Sequence, residues 1–461
     1  MIIFRAYKTR ISPNRAQIRY FNQVCGCCRL VFNKGLELQN QAYKNKTKRP
    51  NSFTLNKFIT KWKRSEYPFL NDVQCFTLQE EFRNLDKAWS AYFRRLAEGC
   101  DPKKAGKPKF KSKYGDSKSF SIKGIFKVES NRIMIPKAQH GPQVGWIKIK
   151  EKGYLPVDAF IKHATVSEHA GKWYISLFVE EDIPFIPPAQ GPAIGLDVGV
   201  ASGNLIVTSD GVHYPNPQPL KHLQRKRARL QRQFDRQHYT GKKEISSRNK
   251  KSKGSPKSKN AIKTKAKLAK VNHRISCIRK SNAHVITSQV VYGKAPSRIG
   301  IESLNVAGML KNHHLAKSIS DAGLGELLRQ VQYKAAWNGS LVFQANQWYP
   351  STKTCSNCGH IQNMSLSTRT YNCPECGFQC DRDENAARNL AALAERGIQM
   401  ELTDITKDMW ESYLNVQMSG VTNMFDLTTV CRLSKLERDQ VLFIMDNYDK
   451  LTKLYTEEQT V

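Results

Sequence analysis

The sequence predicts an α+β protein of several domains with a metal-bound insertion in its C-terminal half. Three observations predict it. The chain has 461 residues and a mass of 52.6 kDa, room for two to four domains at about 100–200 residues each. Its apolar spacing changes from three-and-four to alternation and back along the chain, the signature of helical and stranded regions in succession. Four late cysteines form two C-x2-C pairs, a spacing that builds a small metal-held module. A hydrophobic share of 40% with 10% aromatics is enough for real cores.

The first hundred residues read as helical. Ser12-Pro13-Asn14 is a helix entry. Phe21, Val24, Cys28 and Val31 recur at helical spacing, as do Leu78, Phe82, Leu85, Trp89 and Tyr92. Cys25, Cys27 and Cys28 have no partner pair nearby and read as helix-face residues. Lys103, Lys104, Lys107, Lys109, Lys111 and Lys113, with Gly106 and Pro108, mark a basic linker. Short β-like runs follow at Phe120–Ile122, Arg132–Ile135, Gly145–Ile149, His163–Val166 and Trp173–Val179, spaced as in a small barrel or sandwich. Pro184, Pro187, Pro188 and Pro192 form a boundary. Beyond it Ile194–Val198 is a buried-type strand, and Leu205–Thr208 and Val212–Tyr214 are two more, joined at the turn pair Asp210-Gly211. Leu268, Val271, Ile275 and Ile278 give a long helix with a basic outer face, and Arg298–Leu304 another strand. Near the end, Ser434-Lys-Leu-Glu437 reads as a capping box, and Leu436, Val441, Ile444, Met445, Tyr448 and Leu451 as one amphipathic helix.

Charge narrows the function. Lys and Arg number 74 against 39 Asp and Glu, a net charge of +35 with a pI near 9.8. Such a charge opposes compaction unless a polyanion neutralises it, so nucleic acid is the first candidate partner and an anionic membrane surface the second. No apolar run approaches the roughly 18 residues that span a bilayer, and the opening MIIFRAYKTR has no signal-peptide core. The expected address is the cytoplasm, which the metal-like cysteine pattern also suits. The charge is uneven. Lys221 to Lys280 holds 22 Lys and Arg against two acids, whereas residues 397–461 hold 11 acids against six bases. The basic tract exceeds what solubility needs and fits phosphate contact through Lys221, Arg225, Lys226, Arg227 and Arg229, with a solvated basic loop, above all at Lys250–Lys259, as the alternative. The acidic tail reads as a separate module.

Cys355-Ser-Asn-Cys358-Gly and Cys373-Pro-Glu-Cys376-Gly form C-x2-C-x14-C-x2-C. Four thiolates so spaced can surround one structural Zn²⁺ as a tetrahedron, which leaves no open position for catalysis; paired disulfides and a redox role are the alternatives. Gly359 and Gly377 let each knuckle turn back. His360 and Cys380 are close and read as bystanders.

In so basic a body, carboxylates set in apolar strands need a reason. Asp197 lies in Ile194-Gly-Leu-Asp-Val-Gly199, Glu302 in Ile299-Gly-Ile-Glu302, and Asp383 in Asp381-Arg-Asp-Glu-Asn-Ala-Ala before the helical run Ala386, Ala387, Leu390, Leu393. Converging, they would hold two Mg²⁺ about 3.5–4 Å apart for phosphodiester hydrolysis. Each alone has a plainer role: Asp383 as a helix N-cap, Asp197 as a strand-end acid, Glu302 as an ion-pair partner of a lysine. Asp381, Glu384 and Asp210 rank below them.

Together these segments resemble the TnpB family of transposon-encoded RNA-guided nucleases, relatives of type V CRISPR effectors. The resemblance rests, in order, on Gly195-Leu-Asp197-Val-Gly199, Ile301-Glu302-Ser-Leu-Asn305, Met309-Leu-Lys-Asn312, Leu315-Ala-Lys-Ser-Ile-Ser-Asp-Ala-Gly323, Pro350-Ser-Thr-Lys-Thr-Cys355 with its knuckle through His360, and Cys373-Pro-Glu-Cys376-Gly with Asp381-Arg-Asp-Glu-Asn-Ala-Ala387. It covers about residues 1–395 and is strong after 190. It implies an RuvC-like nuclease domain of RNase H fold at 191–349 and 381–396, with Asp197, Glu302 and Asp383 as its Mg²⁺-binding triad. It also implies a zinc ribbon at 350–380, a β-barrel wedge domain at 1–12 and 98–190, and a helical recognition lobe at 13–97. The acidic helical extension 397–461 departs from the family.

Arg5-Ala-Tyr-Lys8 and Cys25-Gly-Cys-Cys-Arg29-Leu-Val-Phe-Asn33 resemble the family's opening segment, and Val73-Gln-Cys-Phe-Thr-Leu-Gln79 its motif-reading helix. By that match Gln79, and less directly Ser121, read a short motif beside the target. Gln can pair adenine through two hydrogen bonds in the major groove, and a plain solvated helix residue is its alternative. The implied partners are a guide RNA and double-stranded target DNA, with no membrane and an oligomeric state left open. The implied site of action is the prokaryotic nucleoid. The implied function is an RNA-guided DNA endonuclease. Its rivals are a nuclease-inactive RNA-guided repressor, a transposase acting without RNA, and a small CRISPR effector with an array-derived guide.

Overall fold

Alternating burial opens the chain as strand β1 (Ile2–Ser12), with Ile3, Thr9 and Ile11 inward. The computed structural model describes residues 2–113, 118–138, 140–157, 159–184, 186–199, 203–216, 220–243, 258–312, 316–346, 349–365, 367–397 and 402–456. They divide into two units, 4–181 and 182–461 with 1–3.

In the first unit Asn14 caps helix α1 (Arg15–Lys44). Its carbonyl oxygen Oδ1 accepts from the Gln17 amide at 2.9 Å, and the Gln17 side chain accepts from the Asn14 amide at 2.8 Å, a reciprocal capping box. Helices α2 (Ser52–Arg64) and α3 (Cys75–Ala97) follow. The predicted stripe Phe21, Val24, Cys28, Val31 and its counterpart Leu78, Phe82, Leu85, Trp89 and Tyr92 are buried in one core. Strands β2 (Lys118–Ile122), β3 (Lys127–Val128), β4 (Arg132–Met134), β5 (Trp146–Ile149), β6 (Phe160–His169) and β7 (Lys172–Asp182) join β1 in a seven-stranded sheet ordered β2-β6-β7-β1-β5-β4-β3.

The second unit starts on β8 (Ile194–Val198), β9 (Asn204–Thr208) and β10 (His213–Pro215). The basic tract then forms two helices, α4 (Leu220–Lys243) and α5 (Lys259–Ser288). Leu223 and Leu230 of α4 pack against Leu268, Val271 and Ile275 of α5, with residues 244–257 outside the described part. Strand β11 (Arg298–Ile301), helices α6 (Val306–Met309), α7 (Ala316–Ala322) and α8 (Leu324–Asn338) and strand β12 (Leu341–Gln344) come next. The sheet order is β10-β9-β8-β11-β12, with β8, β11 and β12 parallel and β9 and β10 antiparallel. β11 ends at Ile301, three residues short of the predicted strand, so Glu302 stands just beyond the ladder.

The four cysteines lie around a small hairpin of β13 (Thr370–Asn372) and β14 (Gln379–Asp381), which runs into α9 (Arg382–Arg396). The acidic tail folds as α10 (Lys407–Met418), α11 (Leu427–Ser434), α12 (Arg438–Asp446) and α13 (Tyr448–Thr456). Its core takes in Phe343 of β12 and Ala394 of α9. The Arg438 guanidinium donates to the Val342 carbonyl at 2.9 Å, and Arg298 pairs with Asp446.

Two sequence expectations for the tail are corrected. Ser434 opens no helix: it closes α11, its hydroxyl donating to the Val430 carbonyl at 2.8 Å, and Lys435 turns the chain at φ 60°. The capping box is three residues later, between Glu437 and Gln440. The single amphipathic helix is two, because Asn447 ends α12 and its side chain donates back to Phe443 at 3.1 Å.

Candidate metal centres and nucleic-acid surface

Strand alternation sorts the residues of β8 and β11 onto two faces. Ile194, Leu196, Val198, Ile299 and Ile301 face a core shared with α5 and α8. The other face carries Gly195 and Asp197 on β8, then Gly300 with Glu302 just past β11. Gly195 and Gly300 are partners across the parallel pair. Helix α9 lies directly on them: a Cβ at Gly195 would fall 1.8 Å from the Ala387 carbonyl oxygen, and one at Gly300 2.0 Å from that of Leu390. Only a missing side chain allows so close an approach. Asp383 stands one helical turn before Ala387, on the same face of α9. Asp197 and Glu302 each stand two residues beyond their glycine. The three acids therefore occupy facing surfaces at the C-terminal ends of two parallel strands.

Their electrostatics agree. Burial, then the charges of Glu302 and Asp383, push the Asp197 carboxyl well above its usual range, with Arg382 opposing. Burial also raises Glu302, Asp383 adds to it, and the Ser351 hydroxyl lowers it by donating at 2.8 Å. Asp197 makes no side-chain hydrogen bond or ion pair among the described residues. Asp383 is held by Arg382, whose Nε and Nη2 donate at 3.2 and 3.1 Å, and by Arg369 at 3.8 Å. Burial and neighbouring carboxylates thus raise Asp197 and Glu302, and carboxylate oxygens are ligands that suit hard divalent cations. One expectation is corrected: the N-cap of α9 is Asp381, whose oxygen accepts from the amides of Asp383 and Glu384 at 2.9 and 3.2 Å. Asp383 sits in the first turn with its side chain free of that duty.

The four thiols converge. Cys355, Cys358, Cys373 and Cys376 bring their sulfurs within 4.8 Å of one another, the one cluster of metal-ligating groups so close among the described residues. The Cys355–Cys376 and Cys358–Cys373 separations are 3.7 and 3.5 Å. A Zn–S bond of about 2.3 Å puts tetrahedral sulfurs ~3.8 Å apart, so the set fits one Zn²⁺. Hydrogen bonds from the Asn357 side chain and the Phe378 amide pull the Cys376 thiol down to about 6. His360 lies 3.9 Å from Glu375, and Cys380 lies half-buried outside the cluster. Cys27 and Cys28 are buried on α1.

The candidate nucleic-acid contacts divide by element. Arg225, Lys226, Arg227 and Arg229 are exposed on α4, while Lys221 lies on it with its side chain outside the described part. Gln79 is half-buried on α3, its amide donating to the Cys75 sulfur at 3.4 Å. Two residues earlier, the Thr77 hydroxyl donates to the Ser121 carbonyl at 2.6 Å, which sets Ser121 of β2 beside the same helix. An open groove of about 670 Å³ runs alongside, lined among others by Phe76, Arg83, Lys87, Lys123, Lys162 and His163. The sequence does not reveal this groove, because its cations come from three separate segments, α3, β6 and the turn after β2.

Comparison with known proteins follows the same division. A family model described as "Cas12f1-like, TNB domain" matches residues 325–390, and one described as "Probable transposase" matches 176–313. One described as "Helix-turn-helix domain" matches 1–48, where the structure has β1 and a single 30-residue helix. A "Putative RNA-guided DNA endonuclease" of Streptomyces pristinaespiralis is 31% identical over 391 residues, spanning 84% of this chain and 89% of its own. The "Putative RNA-guided DNA endonuclease InsQ" of Escherichia coli K12 is 30% identical over 407 residues, spanning 84% and 92%. Among solved structures, the mini-RNA-guided endonuclease CRISPR-Cas_phi3 aligns with a TM-score of 0.40 at 11% identity, over 85% of this chain and 92% of that one.

Proposed function

We propose, from the premise that this chain belongs to the TnpB family of RNA-guided DNA endonucleases, that it cuts double-stranded DNA by metal-dependent hydrolysis at Asp197, Glu302 and Asp383. The observation that supports this is the contact of α9 with Gly195 and Gly300, beside which burial and the charges of Glu302 and Asp383 raise the Asp197 carboxyl. The sheet of β8–β12 with α5, α8 and α9 is the RuvC-like nuclease, 191–349 and 381–396. Asp197, Glu302 and Asp383 would hold a pair of Mg²⁺, which would supply an activated water and positive charge for the leaving oxygen of a phosphodiester. Asp381 starts α9 and so aims Asp383. Arg382 and Arg369 keep the Asp383 carboxylate in place. The ribbon at 350–380 takes one structural Zn²⁺ through Cys355, Cys358, Cys373 and Cys376.

A guide RNA supplies sequence choice by base pairing, and the protein reads duplex shape and a short adjacent motif. In this reading the seven-stranded sheet, 1–12 and 98–190, is the wedge and 13–97 the recognition lobe, with Gln79 and Ser121 at the motif. Residues 397–461 are a helical extension. No helix among the described residues is long and apolar enough to cross a membrane, and the substrate assigns the protein to the prokaryotic nucleoid.

The test is cleavage of a plasmid by the full chain purified with the transcript of its own locus. Mg²⁺-dependent cutting that ribonuclease pretreatment abolishes is the expected result. Sequence-specific cutting by RNA-stripped protein would sink the guided mechanism and favour a transposase acting alone.

Helix α4 makes a separate prediction. Replacing Arg225, Lys226, Arg227 and Arg229 with Ala weakens guide-RNA binding without altering sequence choice. The slope of log affinity against log salt falls by about 3, at ~0.7–0.9 per phosphate contact. Filter binding at several salt concentrations measures it, and an unchanged slope removes these side chains from the RNA path.

A further inference from the structure

Two buried asparagines on α9 and a buried serine ahead of the first zinc knuckle form a hydrogen-bond network that reaches Glu302. Ser351 is 3% exposed, and its hydroxyl donates to Glu302 Oε1 at 2.8 Å. Its carbonyl accepts from Asn389 Nδ2 at 2.7 Å. The Thr354 carbonyl accepts from both Asn385 and Asn389 at 2.7 Å, and the Ser356 amide donates to Asn385 Oδ1 at 2.9 Å. Asn385 is wholly buried and Asn389 5% exposed. Thr354 and Ser356 flank Cys355, while Asp383 lies two residues before Asn385 on the same helix. The loop from Ser351 to Ser356 thus has one end in the zinc site, its side fastened to the helix of Asp383, and its other end on Glu302.

We infer that this loop is a positioning device: the zinc knuckle holds Ser351, and Ser351 fixes Glu302 as a metal ligand. The inference rests on the nuclease reading above. A glutamate has three rotatable bonds, and a carboxylate left to wander binds a cation less well than one oriented by a neighbour. The Ser351 hydroxyl takes one lone pair of Oε1 and leaves Oε2 open. Asn385 and Asn389 act at one remove, since amides buried without partners would oppose folding and these spend their hydrogen bonds on the loop. The ribbon then sets the geometry of the carboxylate site through Ser351, beyond any contact it makes with nucleic acid.

The test compares Ser351→Ala, Ser351→Thr and Glu302→Gln in the full chain. Mn²⁺ binding to RNA-stripped protein is followed by electron paramagnetic resonance, and Mg²⁺ dependence of cutting by the RNA-loaded protein is followed in parallel. Ser351→Ala is expected to weaken Mn²⁺ binding about 10-fold to 100-fold and to raise the Mg²⁺ needed for half-maximal cutting likewise. Target-DNA binding and zinc content stay native, and Ser351→Thr, which keeps the hydroxyl, restores both metal readouts. Native metal binding by Ser351→Ala beside a dead Glu302→Gln would overturn the inference and leave the nuclease site standing. Loss of zinc from Ser351→Ala would also overturn it, because the hydroxyl would then serve the ribbon and not Glu302. Full cutting by Glu302→Gln would instead strike the nuclease reading itself.

Discussion

Asp197→Ala binds guide RNA and target DNA as the native protein does and cuts neither strand. The expected loss is on the order of 10³-fold or more, ~4 kcal/mol of transition-state stabilisation. Asp197 is the acid of the three whose side chain makes no hydrogen bond or ion pair among the described residues, so its removal disturbs none of these and the loss reads as ligand chemistry. A stability effect of opposite sign accompanies it. The Asp197 carboxyl is raised in the folded protein, first by burial and then by Glu302 and Asp383. Between its unfolded value near 4 and that raised value, the folded chain binds more protons than the unfolded one, so stability falls as pH rises through the window. Without Mg²⁺ at neutral pH the native site is therefore a liability, and Asp197→Asn removes it. The variant should melt higher than native protein in Mg²⁺-free buffer at neutral pH. Melting curves from pH 5 to 8 should converge at the acid end, and added Mg²⁺ should lift native protein more than the variant. A variant that cuts normally, or that melts lower at every pH, would remove Asp197 from the site.

Gly195→Ala carries the second large effect. The added methyl meets the Ala387 carbonyl oxygen at 1.8 Å and the Ala391 nitrogen at 2.5 Å. Both are backbone atoms of a helix and cannot rotate away, so α9 must move off the sheet by an ångström or more. Overpacking of this kind costs about 1–3 kcal/mol and occasionally more. The displaced helix carries Asp383, and a misplacement of ~1 Å near the chemistry can cost about 100-fold in rate. Gly300→Ala, against Leu390, should behave the same way. Gly26→Ala in α1 has open space around its new Cβ and should be neutral or stabilise by about 0.5–1 kcal/mol, which makes it the matched control. Thermal melts and single-turnover cleavage rates separate the three. Native cutting by Gly195→Ala would mean that α9 is not seated where the chemistry needs it.

What the sequence makes legible is what it encodes locally. The strand at Ile194–Val198 is read to the residue because a short apolar run between a proline boundary and a turn has few other uses. The cysteine pattern is legible because two-residue spacing within a knuckle is itself the geometry. The helices of the first hundred residues follow from periodicity, and Asn14 from its position before the first turn. The rest depends on contacts between distant segments. Asp383 reads as a cap from its neighbours, yet Asp381 takes the role because its oxygen is the one that reaches the first free amides. Gly195 and Gly300 look like ordinary strand glycines until a helix far along the chain is laid across them. The cations around Phe76 come from three separate segments of the chain, so no run of charge announces their groove. In the tail, side chains that sit on one helical stripe are divided between two helices by Asn447 and by the docking of Asp446 on Arg298.

The seating of α9 across β8 and β11 also has a meaning in time. The ribosome releases Asp197 early and Glu302 later, and Asp383 only after the helical hairpin and the cysteine module have emerged. Until α9 docks, the nascent polypeptide has its basic body but not yet all three acids that the proposed function needs. On the proposed function, a product of premature termination before residue 382 lacks one of the three acids and is expected not to cut.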